Sequence, residues 1–103
     1  MIEARRRATP TTEQVTKTLQ SVVGGEVLVS YLHGDGRSRW CGVARRGDIV
    51  LSIVLNHYGD LLYASVWKRE RPRATKAEDV RFIDSETYHD LAQALADFRG
   101  RAA

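Results

Sequence analysis

The chain is short of cysteine, proline and lysine, and it has no long apolar run. One cysteine, Cys41, rules out an internal disulfide and fits a reducing compartment, so the expected location is the cytoplasm. The two prolines, Pro10 and Pro72, fall outside every strand-like or helix-like stretch. The longest apolar run, residues 49–55, is strand-sized and interrupted by Ser52. A membrane span needs roughly 20 apolar residues, so no membrane partner is expected. The N-terminal "MIEARRRATP" carries positive charge without an apolar segment behind it, which does not read as a secretory signal. No glycine-rich phosphate loop is present, because "VVGGEV" follows a helical pattern rather than preceding one. No serine sits in a nucleophile elbow. No cofactor is expected.

What is present is arginine. Lys17, Lys68 and Lys76 are the only lysines, yet lysine and arginine together number 16 against 13 acids, for a net charge of +3. Arginine suits carboxylate and phosphate partners, because its planar fork donates two parallel hydrogen bonds and is weakly hydrated. Heavy arginine and alanine use also follows from a GC-rich coding sequence, so the count alone decides nothing. Position has to carry the argument.

At 103 residues the chain is sized for one domain. Residues 1–10 read as a flexible basic arm, 11–100 as the domain and 101–103 as a tail. Thr11 and Gln14 fit a capping box, and Val15, Leu19, Val22 and Val23 recur on one helical face up to Gly24-Gly25. Strand-like runs follow at 26–33, 37–46, 49–56 and 61–69, separated by the turn signals "GDG", "GD" and "HYGD". Residues 80–83 suit a short fifth strand. A last helix is expected from Asp84 or Ser85, carrying Tyr88, Leu91, Leu95 and Phe98 and ending at Gly100. Links this short imply antiparallel neighbours. The expected fold is α+β: a two-layer sandwich with a four- or five-stranded antiparallel meander and an amphipathic helix at each end of the chain, both on one face.

A meander sorts the chemistry by end and by face. Its first and third turns share one end, which gathers His33, Asp35, Asn56, His57 and Asp60. The opposite end gathers Arg45, Arg46, Lys68 and Arg69 with Arg71, Arg73 and Lys76 of the following loop. Alternation sends Trp40 inward and Arg37, Arg39 and Arg45 outward. It assigns Leu62, Ala64 and Val66 to the helix side and Tyr63, Ser65, Trp67 and Arg69 to the uncovered side. The first strand is apolar on both faces, so Tyr31 joins the open face in one of its two settings.

Aromatics among arginines suit protein hot spots and single-stranded nucleic acid alike. The leading expectation is a small non-enzymatic docking or regulatory protein, of the inhibitor or accessory kind that phages and plasmids encode. It would bind an acidic protein or nucleoprotein through Arg45, Arg46, Lys68, Arg69, Arg71, Arg73, Arg37, Arg39, Tyr63 and Trp67. Direct nucleic-acid binding through the same surfaces is the alternative, and a homodimer through the open face is a further use of it. A third reading is a hydrolase or metal enzyme at the His33/Asp35/His57/Asp60 end. Histidines and carboxylates could there hold a metal or act as base and orienting acid, although turns need Asp and Gly anyway. Cys41, mid-strand and with no histidine assured in reach, is read as a packed thiol.

Overall fold

The computed structural model describes residues 8–70 and 81–103, with the side chain of Arg81 left aside. Helix α1 (Thr12–Val23) starts on the expected capping box. Thr11 Oγ1 accepts from the Gln14 N–H at 3.1 Å, and Gln14 Oε1 accepts from the Thr11 N–H at 2.9 Å. Two of the helix's orphan donors are thereby satisfied. Gly24, at φ 80°, closes the far end by donating to Gln20 O at 2.8 Å, a conformation open to glycine at little cost.

Five strands follow: β1 (Leu28–Gly34), β2 (Arg37–Arg46), β3 (Ile49–Asn56), β4 (Leu61–Glu70) and β5 (Arg81–Tyr88). They lie in the order β1-β2-β3-β4-β5, each antiparallel to the next. The chain is thus an α+β fold with a five-stranded open meander. Helix α2 (Leu91–Ala102) completes it, capped by Asp90, whose Oδ1 accepts from Ala92 N–H at 2.8 Å.

Two expectations about this last region are corrected. The fifth strand runs to Tyr88 instead of stopping at residue 83, and the helix starts after Asp90 rather than at Asp84 or Ser85. A slip in the β4–β5 ladder between Val66 and Lys68 accommodates Asp84 at φ 54°. Beyond it Glu86, Thr87 and Tyr88 pair with Val66, Ser65 and Ala64. A polar edge strand of this kind lacks an apolar periodicity, because only one flank pairs and its alternate residues face water. Helix α2 also passes Gly100 and ends at Ala102.

The register fixes which residues share a face. Tyr31 pairs with Trp40, Trp40 with Leu55, Val29 with Gly42, Gly42 with Ile53 and Ala44 with Leu51. Leu51 and Ile53 continue to Val66 and Ala64. These positions face the helices and form one core with Val15, Leu19, Val23, Ala94, Leu95 and Phe98. Phe98, Leu51, Ile53 and Val66 lose essentially all contact with solvent, and such burial contributes about 1.5–3 kcal/mol per side chain. In α1 the buried stripe is Val15, Leu19 and Val23, while Val22, expected on the same face, is exposed.

Helix α1 lies over β1 and β2, and α2 lies over β3, β4 and β5. Arg99 ties the two helices together, donating to Val22 O at 3.1 Å and Val23 O at 3.5 Å. A cation thereby meets the negative end of the α1 dipole. Tyr88, at the end of β5, donates to Asp97 Oδ2 at 2.6 Å. Arg101 donates to Asp97 Oδ1 at 2.7 Å and to Asp84 O at 2.7 Å, pinning α2 to β5. Burial acts to raise the Asp97 carboxyl, but the Tyr88 and Arg101 hydrogen bonds outweigh it, so its pKa lies below the ordinary carboxylate value.

Candidate docking face

Both helices occupy one side of the sheet, and the other side has no layer on it among the described residues. The side chains pointing there are set by pleat and register. Strand β1 offers Leu28 and Leu32; β2 offers Arg37, Arg39, Cys41, Val43 and Arg45. Strand β3 offers Val50, Ser52 and Val54, β4 offers Tyr63, Ser65, Trp67 and Arg69, and β5 offers Phe82 and Thr87. Leu28 is 72% exposed and Phe82 65%, with Leu32, Val43 and Tyr63 exposed as well. Five large apolar residues in contact with water on one face of a small domain is a feature that binding surfaces share.

Of the residues expected at the site, Arg37, Arg39, Arg45, Tyr63, Trp67 and Arg69 lie on this face. Arg46 and Lys68 do not. The second turn brings Arg45, Arg46, Lys68 and Arg69 to one end of the sheet, as expected, and the pleat then divides them between its two sides. Arg46 turns to the helix side and places its guanidinium 5.4 Å from the centre of the Phe98 ring. Lys68, flanked by Ile49 and Ile83, is on that side too. Arg71, Arg73 and Lys76 lie outside the described residues.

Tyr31, which the strand alternation left with two settings, takes the inward one. It faces the helices, its ring 4.3 Å from that of Trp40. Leu62 is corrected. The ladder slips between Val54 and Leu55, so Leu61 pairs with Leu55 on the helix side and Leu62 is left exposed at the bulge. Leu28, Leu32, Val43 and Phe82 are site residues that the sequence reading did not single out.

The face is not flat. Near the second turn it dips into an open concavity of about 560 Å³. Arg45, Val50 and Trp67 form one cross-strand row in its floor, with Leu28 and Val43 to one side and Arg69 and Phe82 to the other; Glu26 stands at the rim. Phe82 meets Trp67 edge-on, with ring centres 5.6 Å apart. Trp67 Nε1 and Arg69 Nε are both buried, and among the described residues neither has a hydrogen-bond partner. A buried donor left unpaired costs about 1–3 kcal/mol, more when it belongs to a charged group. The Arg69 backbone N–H, by contrast, is satisfied by Asp48 O at 2.6 Å.

The His/Asp end is occupied by turn chemistry. His33 Nδ1 lies 2.7 Å from Ser38 Oγ, and its ring meets Tyr31 edge-on. The His57 ring packs against Tyr58, and its carbonyl accepts from the Trp40 indole at 3.3 Å. Asn56 Oδ1 accepts from the N–H groups of Tyr58 and Asp60, at 2.9 and 3.0 Å, closing the third turn. Asp35, at φ 52°, makes the first turn with Gly36. Among the described residues no three His, Cys, Asp or Glu side chains converge as metal ligands. Cys41 is half-buried on the open face, its Sγ 3.7 Å from Ser52 Oγ. No helix among the described residues is long and apolar enough to cross a membrane.

No protein-family model matches the chain, and neither the curated proteins nor the solved structures contain a match to it.

Proposed function

We propose that this is a non-enzymatic docking protein, of inhibitor or accessory type, that receives an acidic protein partner on its open sheet face. The observation that carries the reading is the pairing of exposed apolar residues with arginines that form no ion pair among the described residues, on one surface. Leu28, Leu32, Val43, Tyr63 and Phe82 are exposed there, and Arg37, Arg39, Arg45 and Arg69 stand among them with Glu26 at the rim. That charge layout attracts an acidic partner and disfavours a second copy of the same arginine-bearing face.

Size is consistent with this. Five strands at a spacing of about 4.8 Å and some seven residues at about 3.4 Å give a face on the order of 500 Å² in projection. One side of a standard protein interface is about 800 Å² of rough accessible surface, so the face accounts for much of one. Composition favours protein over nucleic acid. The most exposed of the large apolar residues described is Leu28, and aliphatic side chains have little to gain from bases, which prefer aromatic platforms. A cytoplasmic setting fits the lone unpaired thiol of Cys41.

The test uses two variants in capture from a lysate of the source organism, with and without nuclease treatment. Arg39→Glu/Arg45→Glu/Arg69→Glu reverses the open face, and Lys68→Glu reverses a cation at the same end on the helix side. An acidic protein that Lys68→Glu retains and the triple variant loses is the expected result. Equal retention by both, or capture that disappears with nuclease treatment, would contradict it. The second outcome would support direct nucleic-acid binding, and so would a steep fall of log K with log salt on mixed oligonucleotides.

A further inference from the structure

We propose that the concavity on the open face is an anchor site for one apolar side chain accompanied by a single carboxylate, presented by the partner as a short acidic–hydrophobic segment. This rests on the docking reading and adds the chemistry of its central contact. Three observations converge on it. The floor and walls are apolar, built by Leu28, Val43, Val50 and the Trp67 and Phe82 rings. Two donors, Trp67 Nε1 and Arg69 Nε, are buried there with no acceptor among the described residues. Arg45 lies in the same cross-strand row as Trp67, with Val50 between them.

A site whose buried donors meet no acceptor among the described residues is complementary to a ligand that brings one. The charge count selects which kind. Among the described residues, the charged ones lining the concavity are Arg45, Arg69 and Glu26, which sum to +1. One carboxylate neutralises that sum. A phosphate dianion overshoots it, and a phosphodiester chain sets further charges against Glu26. Both donors are covered in the free protein, so the ligand's acceptor reaches them only as a covering side chain moves. Phe82 is placed for this: it is 65% exposed and held edge-on against Trp67 at the lip. Its ring swings aside as the ligand's apolar group takes its place on Trp67, and the carboxylate then accepts from the Trp67 indole and the Arg69 guanidinium.

The two tryptophans give the experiment its own control. The ¹H–¹⁵N spectrum of the full chain holds two indole resonances, and Trp40 already donates to His57 O. Trp67→Phe assigns the other by removing it. The probes are 4-phenylbutyrate, its uncharged amide 4-phenylbutanamide, and phenyl phosphate. With 4-phenylbutyrate the Trp67 indole should move downfield and saturate at millimolar concentration while the Trp40 indole stays in place. The amide should bind at least tenfold more weakly, and Arg69→Gln should weaken the carboxylate at least tenfold. Arg45→Gln serves as the second variant if Arg69→Gln disturbs the Trp40 resonance. A Trp67 resonance unmoved by 4-phenylbutyrate overturns the proposal, as does equal binding of the amide, or tighter binding of phenyl phosphate. If Arg69→Gln binds no carboxylate yet captures the acidic partner at full strength, the anchor fails and the docking reading stands. If capture ignores every open-face substitution, the docking reading itself fails.

Discussion

Gly42→Val should destabilise the protein by about 3 kcal/mol, at the upper end of what overpacking a core usually costs. Gly42 is where α1 meets the sheet. It is buried in mid-β2, and a Cβ built on it would stand 2.5 Å from Leu19 Cδ1 and 3.1 Å from Val27 Cγ1. Leu19 is itself only 3% exposed, so its side chain yields to the new Cβ by repacking within the core. The added bulk must therefore lift the helix or force Leu19 off its rotamer. In a domain of this size that corresponds to a fall in Tm of roughly 15 °C. A double-mutant cycle with Leu19→Ala checks the mechanism. If the Cβ–Leu19 clash is the cause, the two substitutions should compensate by at least about 1 kcal/mol. Strict additivity in chemical denaturation would place the cost elsewhere.

Phe98→Ala should cost about 4 kcal/mol, as truncation of a fully buried aromatic side chain generally does. Phe98 has no exposed surface and fills the space between α2 and the sheet. The Arg46 guanidinium packs over its ring at 5.4 Å. This contact places Arg46 on the helix side of the sheet, away from the candidate docking face. Arg46→Ala, which leaves the ring in place, should lose only about 0.5–1 kcal/mol. Small domains have about 5–15 kcal/mol of total stability, so Phe98→Ala should leave a marginal fold. Urea denaturation of the two variants gives the comparison directly, and a Phe98→Ala cost below that of Arg46→Ala would refute the packing described above.

Much of this architecture was legible in the sequence, because its signals are local. The Thr11/Gln14 capping box and the bounds of β2 and β3 coincide with the structure, since capping residues and turn residues act within a few positions of themselves. The side on which Tyr31 lies was open in the strand alternation, yet the hairpin settles it. Asp35 and Gly36 both have positive φ, the mark of a two-residue type I′ turn, which sets Gly34 against Arg37 and hence Tyr31 against Trp40. An inward Trp40 therefore carries Tyr31 inward and leaves Leu28 and Leu32 outside. Counting back from the turn recovers most of the exposed apolar patch.

Other features depend on distant pairing. The slip that exposes Leu62 comes from a bulge between β3 and β4, and a single slipped residue reverses which side each neighbour takes. The extension of β5 to Tyr88 relies on ladder contacts with β4, more than twenty positions earlier in the chain for Ser65 and Thr87, which also meet through their hydroxyls at 3.3 Å. Convergence of cations at the second turn followed from topology alone. Their division, with Arg45 and Arg69 on one face and Arg46 and Lys68 on the other, is a matter of parity along each strand. It separates the basic end of the sheet into residues on the open face and residues that support or flank the helix layer. The two covered donors at Trp67 and Arg69 had no signature in the sequence, because burial of a single nitrogen depends on the packing of neighbours from three strands.

The central claim is that the partner sits on the sheet and not on the helices. It is tested most directly by following the backbone amides and indoles of the protein on addition of the captured acidic partner. Perturbation should concentrate at Leu28, Val43, Arg45, Trp67, Arg69 and Phe82, with the Trp67 indole among the most affected, while the amides of Thr12–Val23 and Leu91–Ala102 stay unchanged. Perturbation centred on the two helices, with the open face silent, would contradict the account.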